Sequence, residues 1–221
     1  MSPGQLEVLI AGMKAGMRPS LKQVRELADA YGAMLRGANA AAPVINDEID
    51  WVDIPGNGKD IAPFQMARTP ITQAQWRKVM GTDPSDHNGD NLPVESVSWY
   101  EAVEFCAAIG ARLPTEHEWE WASLGGGTAD PYGPIQEIAW VYENSEDKTH
   151  PVGLKKPNGY GLHDMLGNVW EWTDSAEGSS RVRRGGGFVS FASWLRSAFR
   201  DGVVPSYRSY ILGFRCARGE V

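Results

Sequence analysis

Side chains able to carry covalent or metal chemistry are few in this chain. Cys106 and Cys216 are its only thiols and lie far apart, too few for a disulfide-stapled scaffold or a thiolate metal site, so a reduced, intracellular chain is expected. His87, His117, His150 and His163 are its only imidazoles, and none stands at an H-x-x-x-H or H-E-x-x-H spacing that would place two rings on one helix face. Ser190 lacks the G-x-S-x-G setting of a hydrolytic nucleophile. Between residues 181 and 218 there are eight Arg against one acid, Asp201. They could form a basic patch for an acidic partner, or their guanidinium groups could satisfy carbonyls and carboxylates inside a loop-rich core. The net charge of −7 favours the second reading and argues against generic nucleic-acid binding.

Elements able to position these groups are short. With 42% hydrophobic and 22% charged residues the chain can build a sizeable core, while nine Trp and 25 Gly suggest large aromatics buried among tight turns. Residues 20–36 place Leu21, Val24, Leu27, Ala28, Tyr31, Met34 and Leu35 at helical intervals behind a Ser20/Gln23 capping box. The Ala-, Gly- and Asn-rich stretch 37–43 then breaks at Pro43. The expected organisation is an N-terminal helical segment and linker over residues 1–45, followed by one domain over 46–221. Residues 49–54 alternate like a half-buried strand closed by Pro55-Gly56. Thr72 with Gln75, Ser98 with Glu101, and Thr115 with Glu118 predict three capped helices, and Gly81 and Gly110 are placed to end the first two. Beyond Gly125 short strands and turns are expected. No apolar run reaches the ~18 residues of a membrane span and no Sec signal is legible, so a cytoplasmic or virion-associated place is expected.

The run Arg112-Leu113-Pro114-Thr115-Glu116-His117-Glu118-Trp119-Glu120 resembles the R-L-P-T-E-A-E-W-E motif of the formylglycine-generating-enzyme, or sulfatase-modifying-factor, family. Asn158-Gly159-Tyr160-Gly161-Leu162-His163-Asp164-Met165-Leu166-Gly167-Asn168-Val169-Trp170-Glu171-Trp172 is similar to its N-x-x-G-L-Y-D-M-x-G-N-V-W-E-W signature. Arg184-Gly185-Gly186 and Gly213-Phe214-Arg215 resemble its terminal R-G-G-S and G-F-R pair, and Pro93-Val94 with Val97-Ser98-Trp99 its P-V-x-x-V-S-W segment. The resemblance spans residues 48–218 with the motifs in order, and implies an α+β, C-type-lectin-like fold, loop-rich with short strands and a few short helices. Independently of the family, strand geometry sends Trp170 and Trp172 to one face, and Arg112, Arg184 and Arg215 suit bidentate bonds that hold long loops.

What the resemblance implies for chemistry is an absence. Formylglycine-making members carry one Cys two residues beyond the aromatic of the G-G-S turn and a second five further on. Here those positions hold Ser190 and Leu195. A hydroxyl neither binds Cu(I) nor exchanges as a thiol does, and Leu has no donor, so no enzyme is expected. The ergothioneine-type oxidative branch needs a His-rich iron domain, which the four scattered His do not supply. The family's calcium site maps onto Asp164, the carbonyls of Gly167 and Val169, and Glu171, a hard-cation donor set. Asp164 and Glu171 serve equally well as turn caps or Arg partners. No cofactor is therefore required, and Ca2+ is the one the resemblance allows.

Between Phe188 and Gly213 the spacing is similar to that of the variable proteins of diversity-generating retroelements, whose diversified positions stand between framework residues, here Ala192, Leu195, Arg196, Ser197, Ala198, Arg200, Pro205 and Arg208. The intervening positions are Val189, Ser190, Phe191, Ser193, Trp194, Phe199, Asp201, Gly202, Val203, Val204, Tyr207, Ser209, Tyr210, Ile211 and Leu212. Adenine mutagenesis of Asn-type codons cannot yield Lys, Glu, Gln, Met or Trp, and Trp194 is the single departure from that limit. Aromatic side chains on a stiff scaffold are what a protein-binding surface uses. The expectation is a non-catalytic protein that binds a protein or cell-surface ligand through this patch. The alternatives are an oxidative enzyme, or a structural subunit whose patch is buried core or a fixed interface.

Overall fold

The computed structural model describes residues 48–219. The expected helix over 20–36, the linker over 37–43 and the boundary near residue 45 lie outside the described residues.

Three helices form where the capping boxes put them. Helix α1 (Gln73–Met80) opens on Thr72, α2 (Trp99–Ala108) on Ser98 and α3 (Glu116–Ser123) on Thr115. In each, the hydroxyl accepts from the third helical N–H while the Gln or Glu there bonds back to the cap backbone, so two orphan donors are satisfied reciprocally. Gly81 stops α1 with φ 69°, and Gly110 with φ 70° follows α2. A fourth helix, α4 (Ile135–Ile138), and a 3-10 turn at Ala192–Trp194 were not expected from the sequence. One turn of helix is too short to leave a periodic apolar pattern.

Two small sheets frame the domain. Strands β1 (Trp51–Ile54), β2 (Phe64–Ala67) and β7 (Ala217–Arg218) make one antiparallel sheet in the order β1-β2-β7. The other runs β5-β4-β3-β6, from β3 (Trp170–Glu177), β4 (Ser180–Arg184), β5 (Arg200–Val203) and β6 (Leu212–Gly213), with β3 and β6 parallel. Gly213 also lets the Val94 backbone approach β6 closely, because a Cβ there would lie 2.2 Å from the Val94 carbonyl oxygen.

Two apolar clusters fill the interior. One gathers Trp76, Trp99, Phe105, Trp170, Trp172 and Phe214; the other gathers Met66, Trp119, Leu162, Met165, Leu166 and Leu195. Trp170 and Trp172 share a cluster, as strand alternation requires. Between them Glu171 is also buried, because the opposite face of β3 packs too. There Arg215 Nε and Nη2 each donate to Glu171 at 2.8 Å, and Trp119 Nε1 donates to it at 2.7 Å. The remaining Arg215 donors reach the carbonyls of Ala67, Arg68 and His163, so one guanidinium ties three separate stretches of chain. Arg112 grips Glu118 bidentately at 2.7 and 2.6 Å, and Arg184 pairs with Glu120.

Cys106 and Cys216, far apart in sequence, meet in the core. Their sulfurs sit 3.4 Å apart, both buried and both free. Burial and the facing sulfur push the Cys106 thiol well above its usual range.

Candidate functional site

The residues between Phe188 and Gly213 leave the core at one buried turn and return at another, with the chain between them lying on the surface. Phe188 is buried and its N–H donates to Asn168 O at 2.8 Å. Leu212 is fully buried in the β3–β6 pair. Across this stretch Phe191, Ser193, Trp194, Asp201, Val204, Tyr207 and Tyr210 are exposed, while Val189, Phe199, Gly202, Val203, Ser209 and Ile211 are half-buried. The structure contradicts two expected surface positions. Leu212 is core, and Ser190 is 8% exposed, with its Oγ accepting from Gly187 N–H at 3.1 Å. Neither can meet a ligand.

Ser190 and Leu195, at the two positions that the family resemblance assigns to thiols, converge on Gly186. A Cβ at Gly186 would stand 2.3 Å from Leu195 Cδ2 and 3.2 Å from Ser190 Oγ, and its φ of +74° already demands glycine. The place where two sulfurs would meet is thus closed by a turn-capping hydroxyl and a leucine packed into the core. It offers nothing to bind a soft metal or to exchange with a thiol.

Backbone contacts hold the surface loop from below. Tyr142 N–H donates to Ser190 O at 3.0 Å, Ser96 N–H to Ser209 O at 3.0 Å, Trp99 N–H to Pro205 O at 3.0 Å and Trp170 N–H to Ile211 O at 2.7 Å. Arg184 adds bonds to the carbonyls of Ala198 and Phe199. On this base stand rings at Phe191 (45% exposed), Trp194 (56%), Tyr207 (41%) and Tyr210 (46%). Sequence reasoning missed Tyr142, which is 58% exposed and packs its ring 5.1 Å from Phe191. It also missed His87, whose ring lies 6.3 Å from Tyr210 and is backed by the buried Glu95 at 3.4 Å. No local pattern marks either residue, because each meets the loop only through tertiary contact.

The basic run resolves into internal pairs. Arg183 binds Asp201, Arg200 binds Glu116 and Glu177, Arg208 binds Glu101, Arg181 lies over Trp99, and Arg218 lies over Trp51. With Arg184 and Arg215 also engaged, a free cationic patch for an acidic partner is not what this segment presents.

Of the four calcium-type donors, the two carboxylates have different surroundings. Both Glu171 oxygens accept from Arg215, and one also from Trp119, so this carboxylate serves as an arginine partner. Asp164 differs: one carboxylate oxygen accepts from Gly153 N–H at 2.7 Å and the other is buried without a partner. Burial raises its pKa to about 6. Among the described residues no three His, Cys, Asp or Glu side chains gather as metal ligands would. A groove of about 610 Å³ lined by Asp53, Ile54, Pro55, Phe64, Arg218 and Gly219 shares no residue with the aromatic surface. No described helix is long and apolar enough to cross a membrane.

Comparison with known proteins bears directly on this geometry. Residues 30–220 match the sulfatase-modifying factor enzyme 1-like domain. The chain is 35% identical to the formylglycine-generating enzyme of Mus musculus, over 67% of this chain and 50% of that one. It is 38% identical to the inactive C-alpha-formylglycine-generating enzyme 2 of Bos taurus, over 68% and 58%. This chain therefore spans about half the length of those relatives. Among solved structures it resembles Treponema denticola variable protein 1, with a TM-score of 0.67 and 28% identity over 76% of this chain and 91% of that one.

Proposed function

The chain belongs to the sulfatase-modifying factor enzyme family, and from that premise we propose that it is a non-catalytic member that binds a protein or cell-surface ligand through its C-terminal surface. The observation that carries this reading is the division of the 188–213 segment: Ser190 and Leu195 are buried as plain packing residues, while Phe191, Trp194, Tyr207 and Tyr210 stand exposed above them. Solvent-facing rings of this kind lower solubility unless a partner covers them. Tyr and Trp give large contact area at low conformational-entropy cost, as antibody loops use them. Similarity to a variable protein over nearly its full length and to an inactive relative supports the same reading.

Diversification is the sharper part of the proposal. It is tested in the coding sequence and its neighbourhood. A near-copy of the final coding segment that differs at adenines, beside a reverse transcriptase gene, is the expected finding. Sibling chains should then differ at Phe191, Ser193, Tyr207 and Tyr210 and agree at Ala192, Leu195, Arg200 and Gly213. Siblings identical across the whole segment would replace diversification with a fixed subunit interface. The enzymatic reading has its own assay, copper- or iron-dependent oxygen consumption with thiol substrates, where turnover above the metal-only blank would defeat the binding-only proposal.

A further inference from the structure

We propose that Tyr142, Phe191, Trp194 and the carboxylate of Glu143 form a subsite for a cationic side chain, Arg or Lys, of a partner protein; the inference rests on the binding reading above and names the chemistry of one part of that surface. Three rings make the floor. Phe191 lies 5.1 Å from Tyr142 at an interplanar angle of 56° and 5.5 Å from Trp194 at 78°. A tilted or edge-to-face contact covers at most one face of a ring, and each of the three is about half exposed. The outer face of an aromatic ring is the negative part of its quadrupole, and a guanidinium or ammonium group is what it attracts.

The backbone that carries the rings is held before any ligand arrives. Tyr142 is tied to the loop through Ser190 O at 3.0 Å, and both Glu143 oxygens accept from Ala192 N–H at 3.3 Å. Trp194 N–H returns to Phe191 O at 3.0 Å, and the next residue, Leu195, is buried. A subsite built this way orders little on binding, so more of a weak attraction survives as affinity.

Charge selects the sign of the ligand. Glu143 is exposed and its two long, shared hydrogen bonds leave lone pairs open. Glu146 and Asp147 follow on the same loop, also exposed, and the loop's one cation, Lys148, is paired with Glu146 at 2.8 Å. Three carboxylates against one ammonium draw a cation towards the rings and repel an anion. Arg196, exposed just past the Leu195 anchor, is the cation nearest to Trp194 in sequence.

The test uses the full chain, labelled so that the Trp194 indole N–H is read by NMR, and four blocked amino-acid amides: arginine, lysine, norleucine and glutamate. Saturable, salt-sensitive shifts with arginine and lysine at millimolar concentrations are expected, and none with norleucine or glutamate. Cation–π contacts at exposed sites are worth about 0.5–1 kcal/mol, which predicts a loss of about two- to five-fold in Tyr142→Ala, with Tyr142→Phe retaining binding. Glu143→Gln should weaken both cations, and Arg196→Gln should leave binding equal or tighter. Equal response to norleucine, no saturation with either cation, or full binding in Glu143→Gln would each overturn the subsite. An overturned subsite leaves the diversified binding surface to its genetic test. Invariant siblings, in turn, would remove diversification without altering the titration.

Discussion

Oxidising the chain should close a bond between Cys106 and Cys216, and the geometry sets how much that would matter. The sulfurs are 3.4 Å apart and 110 residues apart in sequence. In the chain-entropy account, a cross-link that closes a loop of about 100 residues removes close to 5 kcal/mol from the unfolded ensemble, and native disulfides typically give about 2–4 kcal/mol. With a urea dependence of about 2 kcal/mol per molar, that corresponds to a midpoint raised by about 1–2 M. The thiolate is the reactive form, and burial holds the Cys106 proton on. Closure by diamide should therefore be slow in the native state and faster in sub-denaturing urea, where the core opens. The assay is thiol titration in denaturant, paired with urea unfolding of reduced and oxidised protein, with Cys216→Ala as the control that must not shift. Two titratable thiols after prolonged oxidation, or an oxidised form that unfolds at the same urea concentration, would refute the inference that these side chains are placed to bond.

Three further outcomes follow from the buried groups. Arg215→Met leaves the buried Glu171 carboxylate unpaired and frees the carbonyls of Ala67, Arg68 and His163, so a loss of about 3–5 kcal/mol is expected in urea unfolding; a loss under 1 kcal/mol would mean the pair is solvated. Asp164 is held at about 6 when folded against 3.8 unfolded, so the folded state binds the proton more tightly. Stability from this group is present below the unfolded value and is lost as pH rises through about 6, a change on the order of 3 kcal/mol; Asp164→Asn should flatten the pH profile between those values and raise stability at neutral pH, and an unchanged profile would show the carboxyl to be solvated. Leu195→Ala should cost about 2–5 kcal/mol by opening the core under the loop, whereas Phe191→Ala should stay within about 0.5 kcal/mol, as measured by thermal or urea midpoints. Equal losses in those two variants would contradict the division between anchor and display.

Much of the frame was legible because its signals are local. Each capping box spans four residues, and each appears where Thr72, Ser98 and Thr115 place it. Trp170 and Trp172 needed only strand alternation. The failures are long-range. Ser190 turns inward because Gly187 N–H needs an acceptor in that turn, and Leu212 is core because a two-residue strand pairs with β3. Neither fact has a periodicity to betray it. Tyr142 and Glu143 reach the site across 49 residues from Ala192, and the cysteines meet across 110. Glu171 could be read equally as a cation ligand or an arginine partner until Arg215 was seen against it.

The way this fold ties down its surface loop explains how side chains there could change without loss of the fold. The clamps at Ala198, Phe199, Pro205, Ser209 and Ile211 are made to their backbone carbonyls, from Arg184, Trp99, Ser96 and Trp170. A carbonyl accepts the same bond whatever side chain its residue carries. Ser209 therefore supplies structure through atoms that every amino acid has, and its side chain is left for contact, whereas Phe199 also packs its ring 5.4 Å from Trp170. Ser96, Trp99 and Trp170 donate through backbone N–H groups as well, so the one side-chain-specific donor is Arg184, whose guanidinium holds Ala198, Phe199 and Glu120 together from a buried position. Sequence constraint in these clamps therefore falls on Arg184, so replacing it should disturb the Ala198–Phe199 part of the surface, while replacing Ser209 should alter only what touches it.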